Sequence, residues 1–317
     1  MTIRLSDVAA ACGVDRSTAS RALRDDPVVN AHTTARIKAQ AARLGYRMHQ
    51  AARALRTGRT GNVLLIAGSF RSTLEQEAAR ELAAHLAAGG TDLYLATHQN
   101  DDGIYRRLLE KAAQGEFDGV VIIPSVRGLC DRYEEALYAG GLPIVFLDRY
   151  PARSTVPIVT SANALAAADL TERVVRSGAG RLICYLADAN EVTHARRSAC
   201  LHFARQHAIP CTYAASLDEL EPPPGNAPLG IVGINQQDVW TALEKVRSRE
   251  PETRLFGAVF DAWLGSIAPA AEVFVAVQDF AAMAREAAAL MMASAGSPKK
   301  ATLEIPILAI RSIQPVP

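Results

Sequence analysis

The chain has little of what most catalytic and secreted proteins display. Its 317 residues contain only 5 cysteines, an odd number with no CxxC pair. That usage points to reduced thiols and argues against disulfides or a zinc site. No apolar run approaches the ~18 residues of a membrane span, and no basic-then-apolar leader opens the sequence, so a cytoplasmic protein is expected. GxSxG, GxxxxGK[ST] and HExxH are all missing, and no acid/base pair suggests itself, which argues against an enzyme. His202 and His207 are five apart and share no helix face, so no metal pair is expected. No cofactor is implied. A C-terminal heptad repeat is lacking as well, which speaks against a coiled-coil tetramer.

Net charge is scarce too, at +1, but it is unevenly placed. Residues 1–60 hold 11 Lys/Arg against 4 Asp/Glu, a net of +7, and the remainder hold 23 against 29, a net of −6. A basic head on an acidic body is the asymmetry expected when one domain meets phosphate and the other does not.

Residues 1–47 read as three short helices. Ser6 is the expected cap of the first, which runs to about Ala11; Gly13 supplies the turn, and Asp15 caps a second helix to about Arg24. Asn30 caps a third that Gly45 ends. Val8, Cys12, Val14, Ala19, Leu23, Ile37 and Leu44 form the expected core. Helix, glycine turn, helix is the helix-turn-helix arrangement, whose second helix enters the major groove. Arg16 and Ser17 stand at the start of that helix and Arg21 one turn on, where base edges are read. Arg4, Arg24 and Arg36 are placed for phosphates.

Residues 48–60 are rich in Ala and Arg with one large apolar residue, Leu55. So short a helix is marginal alone and reads as a linker that orders on contact. From 61 onward, short apolar runs alternate with helical patterns, the signature of parallel sheets covered on both faces. PIVTSA (157–162) is expected to start a second α/β series, and LEIPILAI (303–310) to close the chain as one strand. Two such halves imply a two-lobed body with a cleft, and EPPPGNAP (221–228) is a surface loop.

LSDVAAACGVDRSTASRAL, ARIKAQAARLGYR and AARALRTGRTGNVLLIAG resemble the lactose/galactose repressor (LacI/GalR) family, in close register over the first ~68 residues. DGVVIIP and PIVFLDR extend a looser similarity into the body, and LADANEV with the closing segment looks most similar to the fructose-repressor branch. The resemblance implies an α/β protein: an all-α helix-turn-helix head (1–47), a hinge helix (48–60) and a periplasmic-binding-protein-like body with parallel sheets (61–317). The N-lobe would span about 61–160 plus 277–295, and the C-lobe about 161–276 plus 297–317. It implies a homodimeric transcription regulator, more a repressor than an activator, on a pseudo-palindromic DNA operator, with a sugar or sugar phosphate as effector and no membrane partner.

By that register the major-groove readers are Arg16, Ser17 and Arg21. Leu55 is the hinge leucine that wedges between base pairs, with Arg53 and Arg56 on phosphates or groove edges. Effector contacts fall near Ser69, Phe70, Arg71, Ser125, Asp148, Arg149, Arg197, Asn235 and Asp261. Of these, Arg197 leads RSACL, which aligns with the start of a family helix. Met48-His49 replaces the family's usual Pro-Asn, Ala262 its second Asp, and Asn235-Gln236 its Asn-Asp pair. The rival readings are a sugar-binding receptor and an α/β-cleft enzyme without a DNA role.

Overall fold

The computed structural model describes residues 3–46, 58–124, 133–186, 190–234, 236–260, 271–293 and 302–314. The chain divides into two compact units, Met1–Thr60 and Gly61–Pro317.

The first unit holds helices α1 (Leu5–Cys12), α2 (Arg16–Ala22) and α3 (Ala31–Leu44). Local chemistry sets their ends. The Asp15 carboxylate accepts from Thr18 N–H at 2.9 Å and Asn30 Oδ1 from Thr33 N–H at 2.8 Å, satisfying amides that α2 and α3 leave open. Gly13 stops α1 at φ +62°, a left-handed value that costs a residue with a Cβ more than glycine. The first cap corrects the expectation. α1 starts at Leu5, and it is Arg4 N–H that donates to Asp7 Oδ2 at 2.8 Å, because Asp7 reaches back one turn and relieves Ser6 of the task. Val8, Cys12, Ala19 and Ile37 are buried as expected, with Val14, Leu23 and Leu44 packed at their margin; Ala9, Ala22 and Ala41 complete the core and let the helices approach closely.

The second unit opens with β1 (Asn62–Ala67), α4 (Thr73–Ala88), β2 (Asp92–Thr97), α5 (Asp102–Lys111), β3 (Gly119–Ile122), α6 (Tyr133–Ala139), β4 (Ile144–Leu147) and β5 (Ile158–Ser161). It continues with α7 (Asn163–Arg176), β6 (Arg181–Tyr185), α8 (Glu191–Gln206), β7 (Cys211–Ala214), β8 (Leu229–Gly233), α9 (Gln236–Arg249) and β9 (Leu255–Phe260). β10 (Glu272–Val277), α10 (Phe280–Ala293), β11 (Thr302–Ile305) and β12 (Ala309–Ile313) follow.

Two six-stranded sheets result, ordered β11-β5-β4-β3-β1-β2 and β12-β10-β9-β8-β6-β7. Among the described residues every strand pairing is parallel except β10 with β12. Val63, Leu65, Val121 and Val145 pack under α4 and α10, while Leu64, Ile66, Val120 and Phe146 pack under α5 on the opposite face. The second sheet is covered by α7 and α8 on one face and by α9 on the other. Central strands are therefore buried on both sides, and their sequences run continuously apolar.

Two strand assignments change. β5 belongs to the first sheet, so residues 157–162 close one lobe instead of opening the next. The closing segment is two strands: β11 extends the first sheet and β12 the second. Pro306 separates them; it has no N–H to give a sheet ladder, and the chain changes sheets there. The chain thus passes between sheets at Ser161–Asn163, Val277–Phe280 and Ile305–Ala309. Parallel sheets gather their loops at the strands' C-terminal ends, where ligands bind in this architecture.

Candidate nucleic-acid interface and interlobe ligand site

In the head, Arg16, Ser17 and Arg21 lie exposed on one side of α2, and Ala19 and Ala22 are buried on the other. Helix phase alone accounts for this: 19 and 22 share the inner stripe, and 16, 17 and 21 are left outside. Asp15 shapes the tip. It takes the hydroxyls of Ser17 at 2.5 Å and Thr18 at 2.7 Å, and these bonds hold its carboxyl well below the usual range. Ser17 therefore donates within the cap and offers its lone pairs outward. Arg24 is half-buried and donates to Ser20 Oγ at 2.7 Å. Arg53, Leu55 and Arg56 lie outside the described residues.

In the body, residues expected at the effector site gather where the strands of the first sheet end. Glu75, buried at the start of α4, organises the loop after β1. Its Oε1 accepts from Gly68 N–H at 2.7 Å and Ser69 N–H at 3.3 Å, and its Oε2 from Ser72 N–H at 3.4 Å. A Cβ at Gly68 would stand 2.7 Å from that Oε1, so this residue must be glycine for the carboxylate to come so close. Phe70, at φ +54°, is half-buried against the first-sheet core, and Arg71 is exposed. Buried His98 donates from Nε2 to Ile123 O at 3.1 Å while Nδ1 accepts from Asn100 N–H at 3.0 Å, which assigns the neutral tautomer. Burial pushes its pKa down, in keeping with that form.

Asp148 follows β4 and is 7% exposed, with φ at +67°. Among the described residues no hydrogen-bond donor reaches its buried Oδ1, and Arg149 Nε lies 3.9 Å from Oδ2. Burial raises the carboxyl's pKa, and the pull of Arg149 and Arg196 only partly offsets that.

The arginine that faces the first lobe is not the one the register indicated. Arg197 turns outward, donates to Tyr213 Oη at 2.9 Å and lies over that ring. Its neighbour Arg196 is 3% exposed. It donates from Nε to Asn163 Oδ1 at 2.8 Å and from Nη2 to Gln278 Oε1 at 3.1 Å, and covers the Phe260 ring at 3.7 Å. The reason is helix phase: Thr193, Arg196, Cys200 and Ala204 make the buried stripe of α8, and residue 197 sits about 100° away from 196. Counting that stripe would have found Arg196. Asn163, Gln278 and Glu75 were also missed; only Glu75 carried a local signal, the Ser72…Glu75 capping box. Ser125, Asn235 and Asp261 lie outside the described residues.

Residues 4–48 match the family model described as bacterial regulatory proteins, lacI family. The maltose regulon regulatory protein MalI of Escherichia coli K12 is 30% identical over 197 residues, covering 62% of this chain and 57% of that protein. The chain thus spans a little over half the length of this curated relative. Among solved structures, the lac repressor dimer bound to operator and the anti-inducer ONPF superposes with a TM-score of 0.78 at 16% identity, covering 99% of both chains. The transcriptional regulator CelR in its cellobiose complex superposes at 0.65 with 18% identity, covering 98% of each. Residues 4–48 thus match the lacI family of bacterial regulatory proteins, and the chain has the fold of the lac repressor.

Proposed function

We propose that this protein is a sequence-specific DNA-binding regulator, a repressor acting as a homodimer on a two-fold operator, whose affinity a small ligand in the interlobe site controls. One observation carries the reading: within the segment that matches the lacI family, α2 exposes Arg16, Ser17 and Arg21 together on a helix whose start is firmly capped. An arginine there makes a paired bond to guanine O6/N7, worth ~1–3 kcal/mol of base discrimination. The lac repressor's complex with operator and the sugar named in the CelR structure support the same division of labour between head and body. Hinge residues Arg53, Leu55 and Arg56 would enter or flank the minor groove, with Leu55 as the wedge. Such a protein works beside the chromosome, in the cytoplasm, and performs no catalysis.

Ligand acts by population shift: it favours one arrangement of the lobes, and so one spacing of the paired hinges, only to the extent that it binds that arrangement more tightly. Sugars and sugar phosphates are the effector classes that the family resemblance supports, with Phe70, Arg71, Ser125, Asp148, Arg149, Asn235 and Asp261 as candidate contacts. LADANEV and the closing segment favour the fructose-repressor branch, so fructose and its phosphates head the ligand panel.

Binding-site selection with the full chain tests the reading. An enriched inverted repeat is expected, and Arg16→Ala should relax preference at one position in each half-site. A chain that enriches no sequence over random competitor at moderate salt would overturn it.

A further inference from the structure

Three of the five cysteines converge on one face of the second sheet. Cys184 lies on β6, Cys211 on the neighbouring strand β7, and Cys200 on α8, which covers that face. Register places the two strand residues together. Cys211 stands opposite Leu182, and side chains alternate along a strand, so Cys184, two residues on, shares its face. Helix phase supplies the third: Cys200 belongs to the buried stripe of α8, with Thr193, Arg196 and Ala204. Its thiol is hydrogen-bonded to those of both Cys184 and Cys211. All three thiols are free.

Access singles out one of them. β7 is the last strand of its sheet, and Cys211 is half-buried there, whereas Cys184 and Cys200 are fully buried. An oxidant arriving from solvent meets Cys211 first and finds Cys200 behind it. The hydrogen bond to Cys184 and burial hold the Cys200 thiol well above its usual range, and the bond to Cys200 and burial do the same for Cys211. Both thiols are therefore protonated at neutral pH and react slowly, since the thiolate is the nucleophile. Such a pair registers prolonged oxidation and ignores a brief pulse.

We propose that Cys211 and Cys200 form an oxidant-responsive dithiol, which hydrogen peroxide closes to a disulfide, and that closure loosens the hold of Arg196 on Asn163 and Gln278. The steps balance. Peroxide oxidises the Cys211 thiol to a sulfenic acid and is itself reduced to water. The Cys200 sulfur then attacks the Cys211 sulfur; its proton leaves with the sulfenic hydroxyl as a second water, and the S–S bond forms. That bond needs its sulfurs about 2.05 Å apart, closer than two thiols in non-bonded contact, so α8 must shift toward β7. Arg196 lies one turn before Cys200 on the same stripe and shifts with it. Its partners do not: Asn163 begins α7 and Gln278 follows β10. Hydrogen bonds of 2.8 and 3.1 Å tolerate little displacement before they weaken.

The test takes the full chain, reduced and then exposed to hydrogen peroxide over a series of concentrations and times. Remaining thiols are alkylated and the products mapped by mass spectrometry. A linked Cys200–Cys211 peptide, lighter by two hydrogens, is expected, and dithiothreitol should reverse it. Cys211→Ser should abolish the link and Cys12→Ser should leave it intact; Cys211→Ala is a second variant, with the melting curve as the check on folding. Amide exchange at residues 161–163 and 278–280 should rise about fivefold or more on oxidation of the wild type, the factor that losing one hydrogen bond implies. Peroxide-treated Cys211→Ser should show no such rise. Thiols that stay free throughout, or a link from Cys211 to Cys184 or Cys130 instead, overturn the pairing. A mapped Cys200–Cys211 link with unchanged exchange overturns the coupling to Arg196. None of these readouts involves DNA or sugar, so failure of the operator reading in site selection is a separate result and leaves them standing.

Discussion

Arg196 on α8 and Gln278 after β10 meet at 3.1 Å, and the same Gln278 oxygen receives Ser161 Oγ at 2.6 Å from the end of β5. Asn163 joins them: its Nδ2 donates to Thr160 Oγ1 at 3.0 Å and to Ser161 O at 2.8 Å, and its Oδ1 accepts from Arg196. These residues sit where the chain passes between sheets. The network consequently ties α8 to two of the segments that any change in lobe angle must bend.

Removing Arg196 should be costly. Arg196→Met leaves Asn163 Oδ1 and Gln278 Oε1 without this donor in a buried setting, a loss of about 2–4 kcal/mol. Tm of the body should fall by roughly 5–10 °C. Arg197→Met, one residue on, should stay within about 0.5 kcal/mol of wild type. Thermal melts of the two variants side by side check this, and equal losses would contradict the helix-phase assignment.

Asp148 should behave in the opposite way. Its folded pKa is raised above the ordinary 3.8, so the folded state holds its proton more tightly than the unfolded chain does. Stability is then lost as pH rises from 3.8 through the folded value, and the deficit persists above it. Asp148→Asn removes the buried charge and should raise Tm at neutral pH by about 2–4 °C, the shift expected for about 1 kcal/mol in a body of this size. Below pH 3.8 the difference should disappear. A variant that melts lower than wild type at neutral pH would contradict the account.

The proline-rich loop should depend on Arg181. This arginine is 2% exposed and donates to Ala227 O at 2.8 Å, Pro223 O at 2.8 Å and Glu250 Oε2 at 2.7 Å. Arg181→Met should lower stability by about 2–4 kcal/mol by stranding these acceptors. It should also open residues 221–228 to limited proteolysis. The Arg181 guanidinium holds the Glu250 carboxyl below its ordinary 4.5, so the pair's contribution is complete above that value and fades as pH falls through the lowered one. The gap between wild type and variant should narrow correspondingly in acid. Unchanged cleavage in the variant would remove the anchoring role.

Asp15 should matter to DNA affinity without touching DNA. Asp15→Ala opens the amides at the start of α2 and frees Ser17 and Thr18, so Arg16 and Ser17 lose their fixed aim. Specific affinity should drop while salt-sensitive nonspecific binding remains. Asp15→Ser, another good cap, should restore much of the loss. Mobility shifts with selected and random duplex measure both, and equal loss on the two would point to a phosphate role for this tip.

The head was legible because its determinants are local. Asp15, Asn30, Gly13 and Gly45 each end or start a helix through their own backbone neighbourhood. The one misplaced cap, Ser6 for Arg4, also turned on a single turn of helix, since Asp7 reached back first. In the body, apolar runs marked the central strands, and Asp148 and Phe70 fell at strand ends where the structure holds both at positive φ.

Sequence by itself determined the helix ends, the buried strands and the exposed arginines of α2, because caps and hydrophobic period act within a few residues. Tertiary structure alone decided three things: that β11 and β12 join different sheets, that Arg196 finds Asn163 and Gln278, and that Asp148 keeps an acceptor with no donor among the described residues. The physical reason is range. Sheet membership, burial and desolvation depend on groups brought together from distant parts of the chain, and no local pattern records which partners a side chain finds or fails to find.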